Sequence, residues 1–306
     1  MSLALAPSHA FAQSRDLMSP PVAAPVPLTP GAGAPAAAQP SGPPIAQTLP
    51  TAPPGHAALA VSARYGRDTP AISGGVIWRV FATKPDATGA LRLVKEEKGA
   101  SPTFILPIGS YVINASLGLA GTTKVVQLRG EPVREVFEIP AGGIRLEGRV
   151  GDARIPTGQI SFDVYPGSQF DAPERRPVAQ GVLTGDVVLL PDGTYYIVSN
   201  YGDGNSVVRS DVHVQAAKLT DIVVNHRAAL ITFKLVDDPG GEALANTQWT
   251  VLTPGGDVIK ESIGAFPRVV LAEGDYRVIA RNEGRTFPRD FKVIAGVDGE
   301  IQVLAR

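Results

Sequence analysis

The residues of this chain that could do chemistry are few: four histidines, some close-set acids, a pair of arginines and a set of tyrosines. His9 and His56 lie in a proline- and alanine-rich stretch, His213 alternates with Val212 and Val214 and so points to solvent, and His226 falls between two repeated segments. None has Cys, Asp or His neighbours at metal-ligand spacing, so no metal site is expected. Asp203-Gly204-Asn205 clusters oxygen ligands after Tyr201, but no Glu follows at the spacing of a calcium loop, and a hairpin turn explains it better. Asp237-Asp238-Pro239-Gly240-Gly241 reads as a turn on the same grounds, with solvated carboxylates unsuited to acid catalysis. No phosphate loop or nucleophile elbow occurs. We therefore expect no enzyme, catalytic residue or cofactor.

Two features remain as partner-binding candidates. Arg277 and Arg281 share parity on one strand and face outward if Tyr276 faces inward, forming a basic ridge that Asp275, Glu283 and Asp290 interrupt. Tyr196 and Tyr201 are the aromatics that could stand on an exposed sheet face.

Formal net charge is −1 over 306 residues, which argues against nucleic acid as a partner because phosphate neutralisation needs a basic face. There is no cysteine, hence no disulfide, thiolate or lipid-anchoring cysteine. No stretch approaches 18 uninterrupted apolar residues, so no membrane-spanning helix is expected.

The elements that must position these residues are strands. From Ala57 onward short alternating apolar runs are broken by Gly, Pro, Asp and Asn, with no competing helical period. One motif recurs: Leu106-Pro107-Ile108-Gly109-Ser110-Tyr111, Leu190-Pro191-Asp192-Gly193-Thr194-Tyr195 and Leu271-Ala272-Glu273-Gly274-Asp275-Tyr276. The tyrosines are 84 and 81 residues apart, one small β-domain each. First strands beginning at Leu59, Ile144 and Leu230 keep the same period, and Trp78, Phe162 and Trp249 on the second strands are the expected core centres. About seven strands per repeat predicts an all-β fold of three tandem antiparallel sandwich modules, 57–140, 141–226 and 227–306. Linkers of a few residues favour a semi-rigid array.

The recurring motif has the form of a tyrosine corner: Gly109, Gly193 and Gly274 would take positive φ, and Tyr111, Tyr195 and Tyr276 would pack inward and return their hydroxyls to upstream backbone. Pro107 and Pro191 pre-set the turn; Ala272 breaks that detail, so the third corner should be less constrained.

On these residues the modules resemble bacterial immunoglobulin-like and prealbumin-like sandwich repeats of envelope proteins, closest to carboxypeptidase regulatory-like domains. The second carries the pattern best, with Leu146-Glu147-Gly148-Arg149-Val150, then Ile155-Pro156-Thr157-Gly158, then its corner. The resemblance implies a structural or adhesive spacer and transfers no catalytic residue.

Ahead of the modules, Ala10-Phe11-Ala12 before Gln13 has the small-x-small form of a signal-peptidase site behind too short an apolar run, so residues 1–12 read as the end of a longer export signal. Residues 13–56 read as a disordered linker: twelve of the 28 prolines lie between Pro20 and Pro54, and no charge occurs from Leu17 to Ala63. Together these readings predict an exported, periplasmic or extracellular, non-enzymatic spacer or interaction protein whose partner is an envelope protein or glycan. The alternative is a carbohydrate-binding accessory or regulatory subunit of an envelope enzyme.

Overall fold

A computed structural model describes residues 26–27, 49–171 and 176–306. The expected signal segment and most of the linker lie outside the described residues; among the described residues of the linker Val26–Pro27 forms a strand, β1, and His56 opens the next. The first module comprises β2 (His56–Arg64), β3 (Ile77–Pro85), β4 (Leu91–Lys98), β5 (Thr103–Pro107), β6 (Gly109–Leu117), β7 (Ala120–Leu128) and β8 (Val133–Glu138). The second comprises β9 (Ala141–Val150), β10 (Ala153–Arg154), β11 (Ile160–Pro166), β12 (Ala179–Val182), β13 (Val187–Pro191), β14 (Gly193–Tyr201), β15 (Ser206–Val214) and β16 (Lys218–Asn225). The third comprises β17 (Ala228–Val236), β18 (Gln248–Leu252), β19 (Val258–Ile263), β20 (Arg268–Ala272), β21 (Gly274–Asn282), β22 (Arg285–Val293) and β23 (Gly299–Leu304).

Each module is a two-sheet sandwich with one wiring. A four-stranded sheet runs β4-β3-β6-β7, β12-β11-β14-β15 and β19-β18-β21-β22; facing it are β5-β2-β8, β13-β9-β16 and β20-β17-β23. All pairings are antiparallel but one per module. The last strand returns from the opposite sheet to lie parallel to the first, as in Leu59↔Val133, Ile222↔Leu146 and Phe233↔Ile301. In the second module β1 adds to the free edge of β16, with Val26 opposite Leu219. An edge is where a proline-bearing strand can sit, because one side of it needs no ladder donor.

The side-chain period of two fills the space between the sheets. Trp78, Phe162 and Trp249 are each at most 1% exposed. A buried indole needs a partner for its N–H; Trp78 and Trp249 both donate, over 2.9 Å, to the carbonyl of the glycine just after the next strand, Gly99 and Gly264. Phe162 has no such group.

The three corner hydroxyls each donate to the carbonyl four residues back: Tyr111 to Pro107 (2.9 Å), Tyr195 to Pro191 (3.0 Å) and Tyr276 to Ala272 (2.8 Å). Burial pushes the Tyr111 and Tyr195 phenols above their ordinary value. The expected glycine conformation needs correction. Only Gly193 has positive φ, at 155°, whereas Gly109 and Gly274 do not. The bend falls on the residue before each glycine, Ile108, Asp192 or Glu273. The glycine itself enters the strand beneath the tyrosine ring, whose Cε2 lies 3.7–3.8 Å from where a Cβ would stand.

Candidate functional site

The polar side chains that meet out of sequence order do so where one module ends and the next begins. Both junctions use the same parts: the turn of the hairpin in the four-stranded sheet of one module rests on the first edge strand of the following module.

At the first junction the turn is Gly118-Leu119, between β6 and β7. The Leu119 N–H donates to the Leu189 carbonyl of β13 over 3.0 Å, and Leu189 packs onto the core of the first module. Gly118 has φ of 60°, and a Cβ there would stand 2.6 Å from the Leu189 Cβ. Only glycine permits that approach.

At the second junction the turn is Gly202-Asp203-Gly204-Asn205, between β14 and β15, resting on Val269 and Val270 of β20. The sequence reading of this segment as a turn holds. Its polar side chains are occupied across the junction rather than turned to a cation. Asp203 pairs with Lys260 of β19 at 2.7 Å. The Asn205 amide is bound on both sides: its Oδ1 accepts the Ala272 N–H (2.9 Å) and its Nδ2 donates to the Tyr276 hydroxyl (2.9 Å). Ala272 stands where the other two modules have Pro107 and Pro191, which carry no N–H. The departure read as a looser corner is therefore what gives the preceding module a donor to hold. Arg227, in the linker, pairs with Glu273, whose N–H donates to the Arg227 carbonyl (2.8 Å).

Replacing Ala272 with Pro restores the pattern of the other copies and removes the N–H that Asn205 accepts. We expect the variant to lose about 1 kcal/mol of junction stability by thermal or chemical unfolding, and a double-mutant cycle of Tyr276→Phe with Asn205→Ala to show coupling of similar size. Additive single effects would show that Asn205 does not bridge the modules.

The same junction buries His226, 1% exposed, with Ser199 (0%) and Ser206 (4%). Ser199 Oγ lies 2.7 Å from Nε2 and Ser206 Oγ 2.8 Å from Nδ1. A neutral imidazole has one N–H and one bare nitrogen, so one serine accepts and the other donates. The Tyr201 ring packs edge-on against the imidazole at 5.7 Å, and the His226 backbone N–H donates to the Arg149 carbonyl (2.7 Å). Desolvation lowers the His226 pKa from 6.5 to about 4, so the ring is neutral near pH 7. This serine–histidine contact is sealed in the second module beside the junction, and the two ring nitrogens are taken up by the two serine hydroxyls. It braces rather than reacts.

The partner-binding candidates fall apart spatially. Arg277 forms a bidentate pair with Asp290 (2.6 and 2.9 Å), which holds the Asp290 carboxyl below its usual range. Arg281 is exposed beside Gln248, Arg285 lies over the Phe287 ring at 5.1 Å, and Arg289 donates to the Gln302 carbonyl. The ridge is thus largely neutralised or occupied. Tyr196 stacks on Tyr165 across the β14–β11 pair, centroids 4.8 Å apart and planes 9° apart, and Tyr201 belongs to the His226 cluster rather than to an open face. His213 is exposed. Among the described residues no cluster of three His, Cys, Asp or Glu could hold a metal, and no helix is long and apolar enough to cross a membrane.

Sequence reasoning placed His226 between two repeats and Asn205 in a turn without giving either a partner, and missed Ser199 and Ser206. Their one local sign is the lengthened, glycine-flanked turn of the second module set against the missing proline of the third.

Residues 230–305, almost the whole third module, match the model of a family described as the Rhizobiales growth-associated tandem repeat domain. No curated protein matches the chain. Among solved structures the chain is similar to the TIE protein of Bacillus anthracis, with 13% identity, a TM-score of 0.23, and 82% of this chain and 50% of that one covered. It spans half the length of that protein. It is also similar to GBS52, a minor pilin of Streptococcus agalactiae, with 14% identity, a TM-score of 0.30, and 55% and 94% covered. A third is BcpA, the major pilin subunit of Bacillus cereus, with 10% identity, a TM-score of 0.21, and 82% and 99% covered.

Proposed function

We propose that this chain is an exported, non-enzymatic spacer whose three sandwich modules are coupled into a semi-rigid array that sets the distance between whatever its two ends contact. The observation that carries the reading is the pair of junctions. Each places a glycine turn of one module against a strand of the next, and the second adds the Asn205 bridge and the Asp203–Lys260 pair. A string of independent beads would have no use for buried polar contacts between neighbours, since each costs desolvation unless fully satisfied.

Within this reading the modules are of the carboxypeptidase regulatory-like kind. Gly148 supports it, because a Cβ there would stand 2.1 Å from Ile160 Cδ1 and the Ile160 side chain would have to shift to admit it. The carbohydrate-binding alternative asks for free, coplanar ring faces. Tyr196 spends one face on Tyr165, and Tyr201 is packed into the junction.

The absence of native cysteine makes the test clean. Spin labels at Ala87→Cys and Val258→Cys, both exposed and on the first and third modules, should give one narrow distance distribution by pulsed electron resonance. A distribution as broad as that of flexibly tethered domains would defeat the spacer reading.

A further inference from the structure

We propose that the outer face of β5 in the first module is a docking face for the hairpin turn of a like sandwich module on another polypeptide, and that Glu283 bars the third module of this chain's own copies from filling it.

The register of the three modules makes Ile105 of β5 the counterpart of Leu189 in β13 and Val270 in β20, each two residues before the end of its strand. Leu189 and Val270 are the residues on which the preceding module's turn rests. Val270 is 6% exposed, whereas Ile105 is 42% exposed and Ile108, three residues on, is 52% exposed. At the position of Ile108 the covered faces carry acids, Asp192 and Glu273. The backbone entering the first module is already set for docking: the Ile108 N–H donates to the Gly55 carbonyl (3.0 Å), as Asp192 does to Pro140 and Glu273 to Arg227. Lys95, opposite Val80, stands where Lys260 stands opposite Val251, and Lys260 is the residue that pairs with Asp203 of the docked turn. The face therefore fits a glycine turn with an acid beside it.

The far end of the array is built differently. The third hairpin turns through Glu283-Gly284, two residues like Gly118-Leu119, but with glutamate where the first module has the glycine. Glu283 is held at φ of 47°, a conformation unusual for a residue with a side chain, and is exposed. In Gly118's place a Cβ would meet the receiving strand at 2.6 Å, and the remainder of the glutamate has no room. Heterologous contacts of this kind propagate into chains of copies unless one end is closed. Glu283 closes it.

The test uses the full chain carrying Glu283→Gly, which removes the side chain that would meet the receiving strand and relieves a left-handed glutamate, while Gly284, itself at φ of 79°, is kept. In sedimentation velocity from about 1 to 500 µM the native chain should stay monomeric, and the variant should gain average mass at least 1.5-fold with rising concentration. Adding Ile105→Arg should return it to a monomer, with the circular dichroism spectrum unchanged. A variant that stays monomeric across the range overturns the docking face, as does assembly that survives Ile105→Arg. Assembly of the native chain equal to that of the variant overturns the role of Glu283. None of these outcomes depends on the spacer reading.

Discussion

Replacing Gly204 with alanine is expected to uncouple the second and third modules. The new Cβ would stand 2.0 Å from the Val270 carbonyl oxygen and 3.0 Å from Val269 Cγ2. The oxygen belongs to β20, which is paired with β17, so it cannot move aside without breaking that ladder. The turn must lift instead. With it go the two Asn205 hydrogen bonds and the Asp203–Lys260 pair, leaving the Ala272 N–H without its acceptor. Overpacking and one orphaned donor together amount to roughly 3 kcal/mol of lost coupling. Calorimetry should then show the third module melting apart from the second, and proteases should cut at Asn225–Arg227. Gly74→Ala, where a Cβ meets nothing within 4 Å, should leave both unchanged. A single unsplit transition in the Gly204 variant would refute the junction as the coupling element.

Acidification should weaken the second module, at its end beside that junction, well before carboxylates are affected. His226 is neutral in the folded chain down to pH about 4, whereas an unfolded histidine takes up its proton near 6.5. Between those values the unfolded state binds the extra proton, so stability is full above pH 6.5 and falls as pH drops toward 4. The 2.5-unit span corresponds to roughly 3 kcal/mol at most, since each unit is about 1.4 kcal/mol. Carboxylates held low by their partners, such as Asp290 and Asp86, contribute stability that is lost only at lower pH, below their ordinary values. The windows are separable. His226→Gln keeps two hydrogen-bonding groups between Ser199 and Ser206 but does not titrate, so denaturant unfolding of that variant should be flat from pH 6.5 to 4.5 where the native chain slopes. Equal slopes would place the titrating group elsewhere.

Much of the fold was legible because sandwiches are written in local signals. Strand alternation, a turn every few residues and an 84-residue return of one motif locate three modules, and a large aromatic on the second strand of so small a domain has nowhere to go but the core. The strand β22 is poorly legible, because Arg285-Thr286-Phe287-Pro288-Arg289-Asp290 carries a single large apolar residue and a proline. It is an edge strand, where exposure and proline are both tolerated. The corner tyrosines followed from the motif, but the conformation of their glycines did not. Glycine permits positive φ without requiring it, and the bend had settled one residue earlier.

The site was legible only as a residue, His226, standing between two modules. Composition, repeat and period by themselves determined the class of fold, the number of modules and the core centres, since these depend on each residue's neighbours along the chain. The tertiary structure alone decided what joins the modules. Asn205 of the second module meets Ala272 and Tyr276 of the third across separations of 67 and 71 residues, and beside them His226 is held by Ser199 and Ser206 of its own module across 27 and 20. Contacts at such distances have no period to announce them. Their chemistry exists only once two folded surfaces meet and the water between them is gone, leaving each buried polar atom to find a partner or lose stability.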